Sequence, residues 1–311
     1  MKSAVLILIF SLLGGFAHSQ TENMVFDTSQ TYRVVLTDGN ELIGKILKSD
    51  EREIYMSLED GRKIYVPQYQ IKSTIKVDKN EYNAMGKFVG EDRFATRYFI
   101  TTNGLPMKKG EHYVQWNIFG PDFQFAPAEN FGVGLMTTWI GSPVLLTTKY
   151  SFQLGEKAQF AVGAVGGSGT WLAPDWGGVL PFATLSYGSR RANIAVSGGY
   201  GAVWPGGDAQ GRALGSIAGM VKVGPKVSLV FDSFILFPST ETRTYYDYDY
   251  QTGQSVPVTQ TYKSNMLALV VPGVRWHIDS RRAFQFGMTG VVVDNDVLPV
   301  PIPMVQWYRS F

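Results

Sequence analysis

The sequence has no cysteine, only three histidines, and little charge: Asp, Glu, Lys and Arg make up 17% of its 311 residues, against about a quarter in ordinary soluble domains. Without cysteine there is no disulfide framework and no thiol to carry a lipid anchor. Three histidines, His18, His112 and His277, leave a thin inventory for acid–base or metal chemistry. The net charge is +2 and no long run has one sign, so composition gives no reason to expect a nucleic-acid or acidic partner. Beyond the N-terminus no stretch approaches the about 20 uninterrupted apolar residues that a membrane-crossing helix needs. Glycine and aromatic residues are abundant instead, with 34 Gly and 14% Phe, Trp and Tyr.

The chain opens with a short basic start, Met1-Lys2-Ser3, followed by an apolar run from Ala4 to Phe16 and then Ala17-His18-Ser19. Small residues at −3 and −1 place a signal-peptide cleavage before Gln20, which makes residues 1–19 an export signal. The run is too short for a membrane anchor, and His18 leaves with it.

Residues 20–77 read as a small β domain. Strand patterns over 32–37 and 41–47 flank the hairpin signal Asp38-Gly39-Asn40, and patterns over 53–58 and 62–66 flank Glu59-Asp60-Gly61. Pro67 stops the fourth strand, and 71–77 closes the set. Gly44 marks a bulge or bend in the second. Five short bent strands suit a small SH3-like barrel. The run Val35-Leu36-Thr37-Asp38-Gly39-Asn40-Glu41-Leu42-Ile43-Gly44-Lys45-Ile46 resembles the first motif of the Sm/LSm family, with its strand, Asp-Gly turn and later glycine. The family's second motif has no counterpart near 71–77, so the resemblance implies shared small-barrel geometry without RNA binding. The expected role is a periplasmic plug, spacer or protein-contact module. Residues 78–94 are polar, lack alternation, and read as a linker or short helix.

Residues 95–311 read as an antiparallel barrel. In Val144-Leu145-Leu146-Thr147-Thr148-Lys149-Tyr150-Ser151-Phe152, Val144, Leu146, Tyr150 and Phe152 point one way and Thr147, Lys149 and Ser151 the other. Similar segments occur at 95–102, 111–119, 130–140, 144–154, 158–167, 179–188, 192–202, 212–223, 227–237, 264–277, 283–293 and 301–311. Connections at 154–157, 188–191, 224–226 and 278–282 are short and polar, and the intervening ones are mostly longer. In membrane barrels short turns face the periplasm and long loops face outside. An N-terminal domain in the periplasm requires an even strand number. That makes 95–102 the first of twelve strands and 120–129 a long periplasmic turn; ten strands is the alternative. Trp116, Leu135, Trp139, Phe160, Leu229, Phe231, Phe284 and Phe286 fall on the outward face. Tyr187, Trp276 and Trp307 fall near strand ends, where an aromatic girdle belongs. The competing fold is a soluble β-sandwich, whose strands also alternate.

The end of the chain, Met304-Val305-Gln306-Trp307-Tyr308-Arg309-Ser310-Phe311, resembles the last strand of bacterial outer-membrane β-barrel proteins in Phe311, Val305 and Trp307, and departs from it at Arg309. The resemblance implies a Gram-negative outer membrane, contact with its lipid, and Phe311 as the signal that the barrel-assembly machinery recognises. Arg97-Tyr98-Phe99 and Pro106-Met107-Lys108-Lys109-Gly110-Glu111, in a barrel behind a small β domain, resemble uncharacterised Bacteroidetes-type barrel proteins. That resemblance implies no activity.

No catalytic site is legible. His112 is placed at the outer rim without a serine motif beside it, and His277 at a periplasmic strand end; histidines on opposite rims make no metal site. The glycine runs 163–169 and 198–207 lack the Lys-Ser/Thr ending of a phosphate loop. We therefore expect a non-enzyme without metal or cofactor. Ligand-contact candidates are Tyr245, Tyr246, Asp247, Tyr248, Asp249 and Tyr250 in the 238–263 loop, with Trp171, Trp176 and Trp204 on the same outer rim. If that loop is a strand extension, its tyrosines lie on one side and its Asp residues on the other. Lumen-lining candidates include Lys149, Arg212, Lys222, Asp232 and Arg275. The leading expectation is passive passage or binding of a small solute. The alternative is a structural or adhesive protein whose loops and N-terminal domain contact a surface or periplasmic partner.

Overall fold

The computed structural model describes residues 26–311 apart from 39, 78–80, 83–87, 171–172, 206–209, 250–252, 295 and 300. The expected signal peptide lies outside the described residues. The chain divides into two compact units, Met1–Val77 and Asp78–Phe311.

The first unit is one antiparallel sheet of β1 (Thr31–Leu36), β2 (Glu41–Ser49), β3 (Glu53–Leu58), β4 (Lys63–Pro67) and β5 (Ile71–Lys76), in the order β4-β3-β2-β1-β5. Apolar residues on one face, Val34, Ile46, Ile54, Met56 and Val66, form its core. Register shifts between Val35 and Leu36 and between Ile46 and Lys48 bend the sheet, as β-bulges do. Gly44 is required by a close crossing, since a Cβ there would lie 2.2 Å from the Ser57 carbonyl oxygen. Asp50 closes the β2–β3 turn by accepting the N–H groups of Arg52 and Glu53. Those backbone donors hold its carboxyl below the usual carboxylate range.

The second unit is a closed antiparallel barrel of twelve strands. They are β6 (Tyr113–Asn117), β7 (Gly120–Ala128), β8 (Phe131–Thr137), β9 (Val144–Gln153), β10 (Ala158–Thr170), β11 (Ala173–Gly188), β12 (Ala192–Pro205), β13 (Gln210–Gly224) and β14 (Val227–Leu236), then β17 (Leu267–His277), β18 (Arg282–Val293) and β20 (Ile302–Ser310). The hairpin β15 (Thr240–Asp249) and β16 (Gln254–Lys263) is a separate sheet, and β19 (Asp296–Val297) adds a short edge to β18. Each wall strand pairs with the next, β14 pairs with β17, and β20 returns to β6 with Trp307 opposite Trp116.

The number twelve agrees with expectation, but the membership does not. Residues 95–102 form no strand. A wall strand buries alternate side chains, whereas Ala95, Thr96, Tyr98 and Phe99 are all buried, because this segment runs inside the barrel. The wall strand that takes its place in the count is β7, in the stretch expected to be a periplasmic turn. Asp122, Gln124 and Ala126 face inward, while Phe125 is exposed outside. Pro127 is tolerated because the β7–β8 register shifts between Phe125 and Ala128. Nor are residues 88–94 a solvated linker, since Val89, Asp92 and Phe94 are buried in the barrel unit.

Five connections lie at the same end of the barrel as residues 112 and 311: 129–130, 154–157, 189–191, 225–226 and 278–281. All are tight, so we call this the turn end. The opposite, loop end carries the 237–266 excursion with β15 and β16. The outer surface exposes Leu146, Leu185, Ile194, Val196, Ile217, Leu229 and Trp276. A contiguous apolar exterior around a closed barrel belongs in lipid, which excludes the soluble sandwich. Trp116 and Trp139 stack at 5.8 Å toward the loop end, with Trp307 opposite Trp116 across the seam, and Tyr187 and Trp276 stand toward the turn end.

The two units have separate cores. Met56→Ala should therefore destabilise only the small sheet, by about 2–5 kcal/mol. Trypsin should then cut faster at Lys45 and Lys48 while the heat-modifiable electrophoretic shift of the barrel is unchanged.

Candidate functional site

Residues 88–112 form a plug. They enter the lumen from the turn end and return to it, and this stretch has no regular secondary structure beyond isolated bridges. Irregular backbone at membrane depth survives only where protein satisfies it. Here the wall side chains do so. Arg275, fully buried, donates to the Phe94 carbonyl at 2.8 Å, the Arg97 carbonyl at 2.7 Å and Gln285 Oε1 at 2.6 Å. It pairs with Asp92 at 3.1 Å and lies 4.8 Å over the Tyr308 ring. Gln306 donates to the Phe99 carbonyl and Tyr308 to that of Tyr98, at 2.6 and 2.9 Å. On the opposite wall, Lys149 Nζ donates to the Asn103 and Leu105 carbonyls at 3.1 and 3.2 Å. Asp232 accepts the N–H groups of Ile100 and Thr101 and the Thr101 hydroxyl at 2.6, 2.9 and 2.6 Å. Lys222 donates to the Glu91 carbonyl at 2.8 Å, and Arg190 bridges Glu111 and the Pro106 carbonyl, each at 2.7 Å.

Apolar packing fixes the same segment. Tyr98, Phe99 and Leu105 form one core with Ala195, Ala218, Met220, Val230 and Val271. Phe99 lies against two wall glycines, and a Cβ on Gly273 or Gly287 would approach its ring to 2.4 or 2.6 Å. Met107 occupies the space above Gly132 in the same way.

The expected lumen residues Lys149, Lys222, Asp232 and Arg275 do face inward, but they grip the plug instead of lining a water path. Arg212 sits toward the loop end and donates to the Phe237 and Asn265 carbonyls. His112 is not at the outer rim. It lies at the turn end, where its Nδ1 accepts the Ala126 N–H at 3.1 Å and its ring faces Phe125 and Phe311. His277 is at that same end, so the two are not on opposite rims. His277 Nε2 lies 3.1 Å from both Ser228 Oγ and Asp92 Oδ2. Although Ser, His and Asp meet here, Ser228 is wholly buried and donates to the same Asp92 oxygen at 2.8 Å, so its proton is directed at the carboxylate and the order of a Ser–His–Asp relay is not present. Among the described residues no group of three His, Asp or Glu side chains forms a metal site.

Beside the plug, toward the loop end, the lumen retains a cavity of about 200 Å³. Its floor is the plug, at Arg97, Ile100 and Thr101, and its walls include Lys149, Phe182, Leu214, Ser216 and Phe234. The Arg97 guanidinium pairs with the buried Asp122 carboxylate, yet Arg97 Nε has no hydrogen-bond partner in the structure, nor does Ser216 Oγ.

The aromatic residues expected on the outer rim do not converge. Trp171 and Tyr250 lie outside the described residues. Trp176 pairs across from Pro205, and Gly177 from Trp204, so the two tryptophans occupy opposite faces of the wall. The Trp204 indole covers Gly177. On the β15–β16 hairpin, Tyr246 and Tyr248 share a face with Pro257 and Ser255, while Tyr245 shares the other with Asp247. The separation of tyrosine from aspartate therefore fails at Tyr245.

The plug was missed because its partners are remote in sequence. The available signal was the run of consecutive apolar side chains at Tyr98-Phe99-Ile100, together with more inward-facing glutamine and arginine than a water-lined wall requires.

No protein family matches the chain, and no curated protein does. Two solved structures are similar to it. A NanC porin in a rhombohedral crystal form shares 8% identity, covering 64% of this chain and 98% of the porin, with a TM-score of 0.39. OmpT lacking loop L8, an outer-membrane protein of Vibrio cholerae, shares 13% identity over 91% of this chain and 96% of its own, with a TM-score of 0.35. The barrel assignment rests on the strand pairings themselves.

Asp92→Leu leaves Arg275 as a buried cation without its carboxylate, which should cost about 3–5 kcal/mol. The natural chain contains no cysteine, so Leu105→Cys serves as a specific probe of plug position. Maleimide should label it slowly in the otherwise natural protein and at least tenfold faster when Asp92 is Leu.

Proposed function

We propose that this protein is an outer-membrane barrel whose own chain closes the lumen, and that it binds a small ligand in the remaining cavity. One observation carries this reading: the lumen is filled at the level of Arg275, Gln285 and Gln306, all at most 2% exposed, while a largely apolar cavity with unpartnered polar atoms persists beside the plug. A mostly apolar pocket with a few polar groups is the usual form of a small-molecule site. In this reading the turn end and the N-terminal unit face the periplasm, after cleavage before Gln20, and the loop end faces outside. The five-stranded unit serves as an SH3-like module for a periplasmic protein partner. Phe311, 60% exposed at the turn end, serves as the assembly signal. In this reading the protein is not an enzyme, and what supports it is that the Ser228–His277–Asp92 grouping has its serine wholly buried against the plug.

Planar-bilayer recording tests the reading. The natural chain should give no stable conductance steps, and replacement of residues 89–107 by a Gly/Ser linker should give them. Stable steps from the natural chain would sink it.

A second reading, adhesion, is favoured by the β15–β16 hairpin, where Tyr246 is 74% exposed on a two-stranded sheet outside the wall. Deleting 240–263 should leave the barrel folded and the cavity intact. If the hairpin is adhesive, binding of cells to a surface is lost with it.

A further inference from the structure

We infer that the lumenal cavity accepts a small monocarboxylate with an apolar body, of the size of a phenylalkanoate or a medium-chain fatty acid. The inference deepens the ligand-binding reading above and rests on it. Size comes first: a dry cavity of about 150 Å³ holds a benzene ring, so about 200 Å³ admits a ring or short chain with one headgroup and little more. The body is set by the walls, where Val165, Leu180, Phe182, Leu214 and Phe234 surround the space.

The headgroup is set by the charges. The ionic groups that line the cavity are both cations, Arg97 and Lys149. Asp122 and Asp232 do not line it and are already occupied, Asp122 by Arg97 and Gln124, Asp232 by the amides of Ile100 and Thr101 and the Thr101 hydroxyl. Among the residues that line the cavity, Arg97 Nε and the Ser216 hydroxyl have no hydrogen-bond partner; both atoms are sealed in the cavity wall, so a ligand meets them only when the partly exposed guanidinium or the hydroxyl turns toward it. Buried donors without partners are rare in folded proteins and call for an acceptor. A carboxylate beside Arg97 would supply one, and charge-assisted hydrogen bonds are the stronger kind. A phosphate or sulfate headgroup carries the same sign but demands more donors and more room. Because the floor of the site is the plug, ligand contact with Arg97 would bind the plug more firmly to the wall.

The test uses the whole protein in lipid nanodiscs and equilibrium dialysis with radiolabelled 3-phenylpropionate, its amide and 3-phenylpropanol. The acid should bind at one site per barrel, at least tenfold tighter than the amide or the alcohol. Ser216→Leu fills the cavity and removes the free hydroxyl, and should reduce acid binding at least tenfold. In the same variant the slow labelling of Leu105→Cys, which reports an intact plug, should be retained. Arg97→Gln should remove the preference for the acid over the amide. Saturating acid should slow the labelling of Leu105→Cys further. Equal affinity for acid and alcohol would overturn the carboxylate assignment while leaving a ligand-binding lumen. Acid binding that survives Ser216→Leu unchanged, or no binding of the acid, would overturn the inference. Conductance through the natural chain would instead overturn the reading on which it rests.

Discussion

Everything in the barrel unit is arranged around the need to keep one buried cation satisfied. Arg275 projects from β17 into the lumen near the turn end and is fully buried, where an unpaired charge costs several kcal/mol. Neighbouring strands supply only part of what its guanidinium requires, through Gln285 and the Tyr308 ring. The carboxylate of Asp92 and the carbonyls of Phe94 and Arg97 come from the plug. The plug in turn closes only local turns with its own backbone, such as Ala95 N–H to the Asp92 carbonyl and Tyr98 N–H to the Thr101 carbonyl, and its other backbone groups are met largely by Arg275, Gln306, Lys149 and Asp232. Wall and contents are therefore two halves of one hydrogen-bond network.

This mutual dependence explains why the lumen combines charged residues with glycines. The charged and amide side chains address the plug backbone, and Gly132, Gly273 and Gly287 leave room for Met107 and Phe99. What remains open is the part of the lumen that the plug reaches least. There the wall changes character, from the buried Arg275, Gln285 and Gln306 to Phe182, Leu214 and Phe234. The cavity is thus bounded on one side by barrel and on the other by a segment that wall side chains and a few backbone bonds, such as Asp92 N–H to the Arg190 carbonyl, hold in place.

Local features were legible in the sequence. The two-residue period of Val144 to Phe152 gives the orientation of every side chain in that strand, and the turns at Asp38-Gly39-Asn40 and Glu59-Asp60-Gly61 delimit the small sheet. The tight polar turns identified the common end of the hairpins for the same reason. What the sequence withheld was non-local. Arg275 meets Asp92 across 183 residues, and nothing at either position announces the other. Residues 95–102 imitate a strand because Tyr98, Phe99 and Ile100 favour extended backbone and an even count requires one more strand, whereas β7 is disguised by Pro121 and Pro127. One false strand and one missed strand cancelled in the count of twelve, but the exchange reversed the direction of the first wall strand and carried His112 to the wrong end.

The plug precedes the wall in the chain. Residues 88–112 are made before any wall strand, and β20, made last, shuts the ring against β6 through the seam that pairs Trp307 with Trp116. A ring already shut would have to pass Phe94, Tyr98 and Phe99 through an opening lined by the groups that later hold them. The segment that fills the centre thus lies N-terminal to the wall that encloses it, and the first and last wall strands meet at the seam, as the first and last staves of a cask meet around its contents.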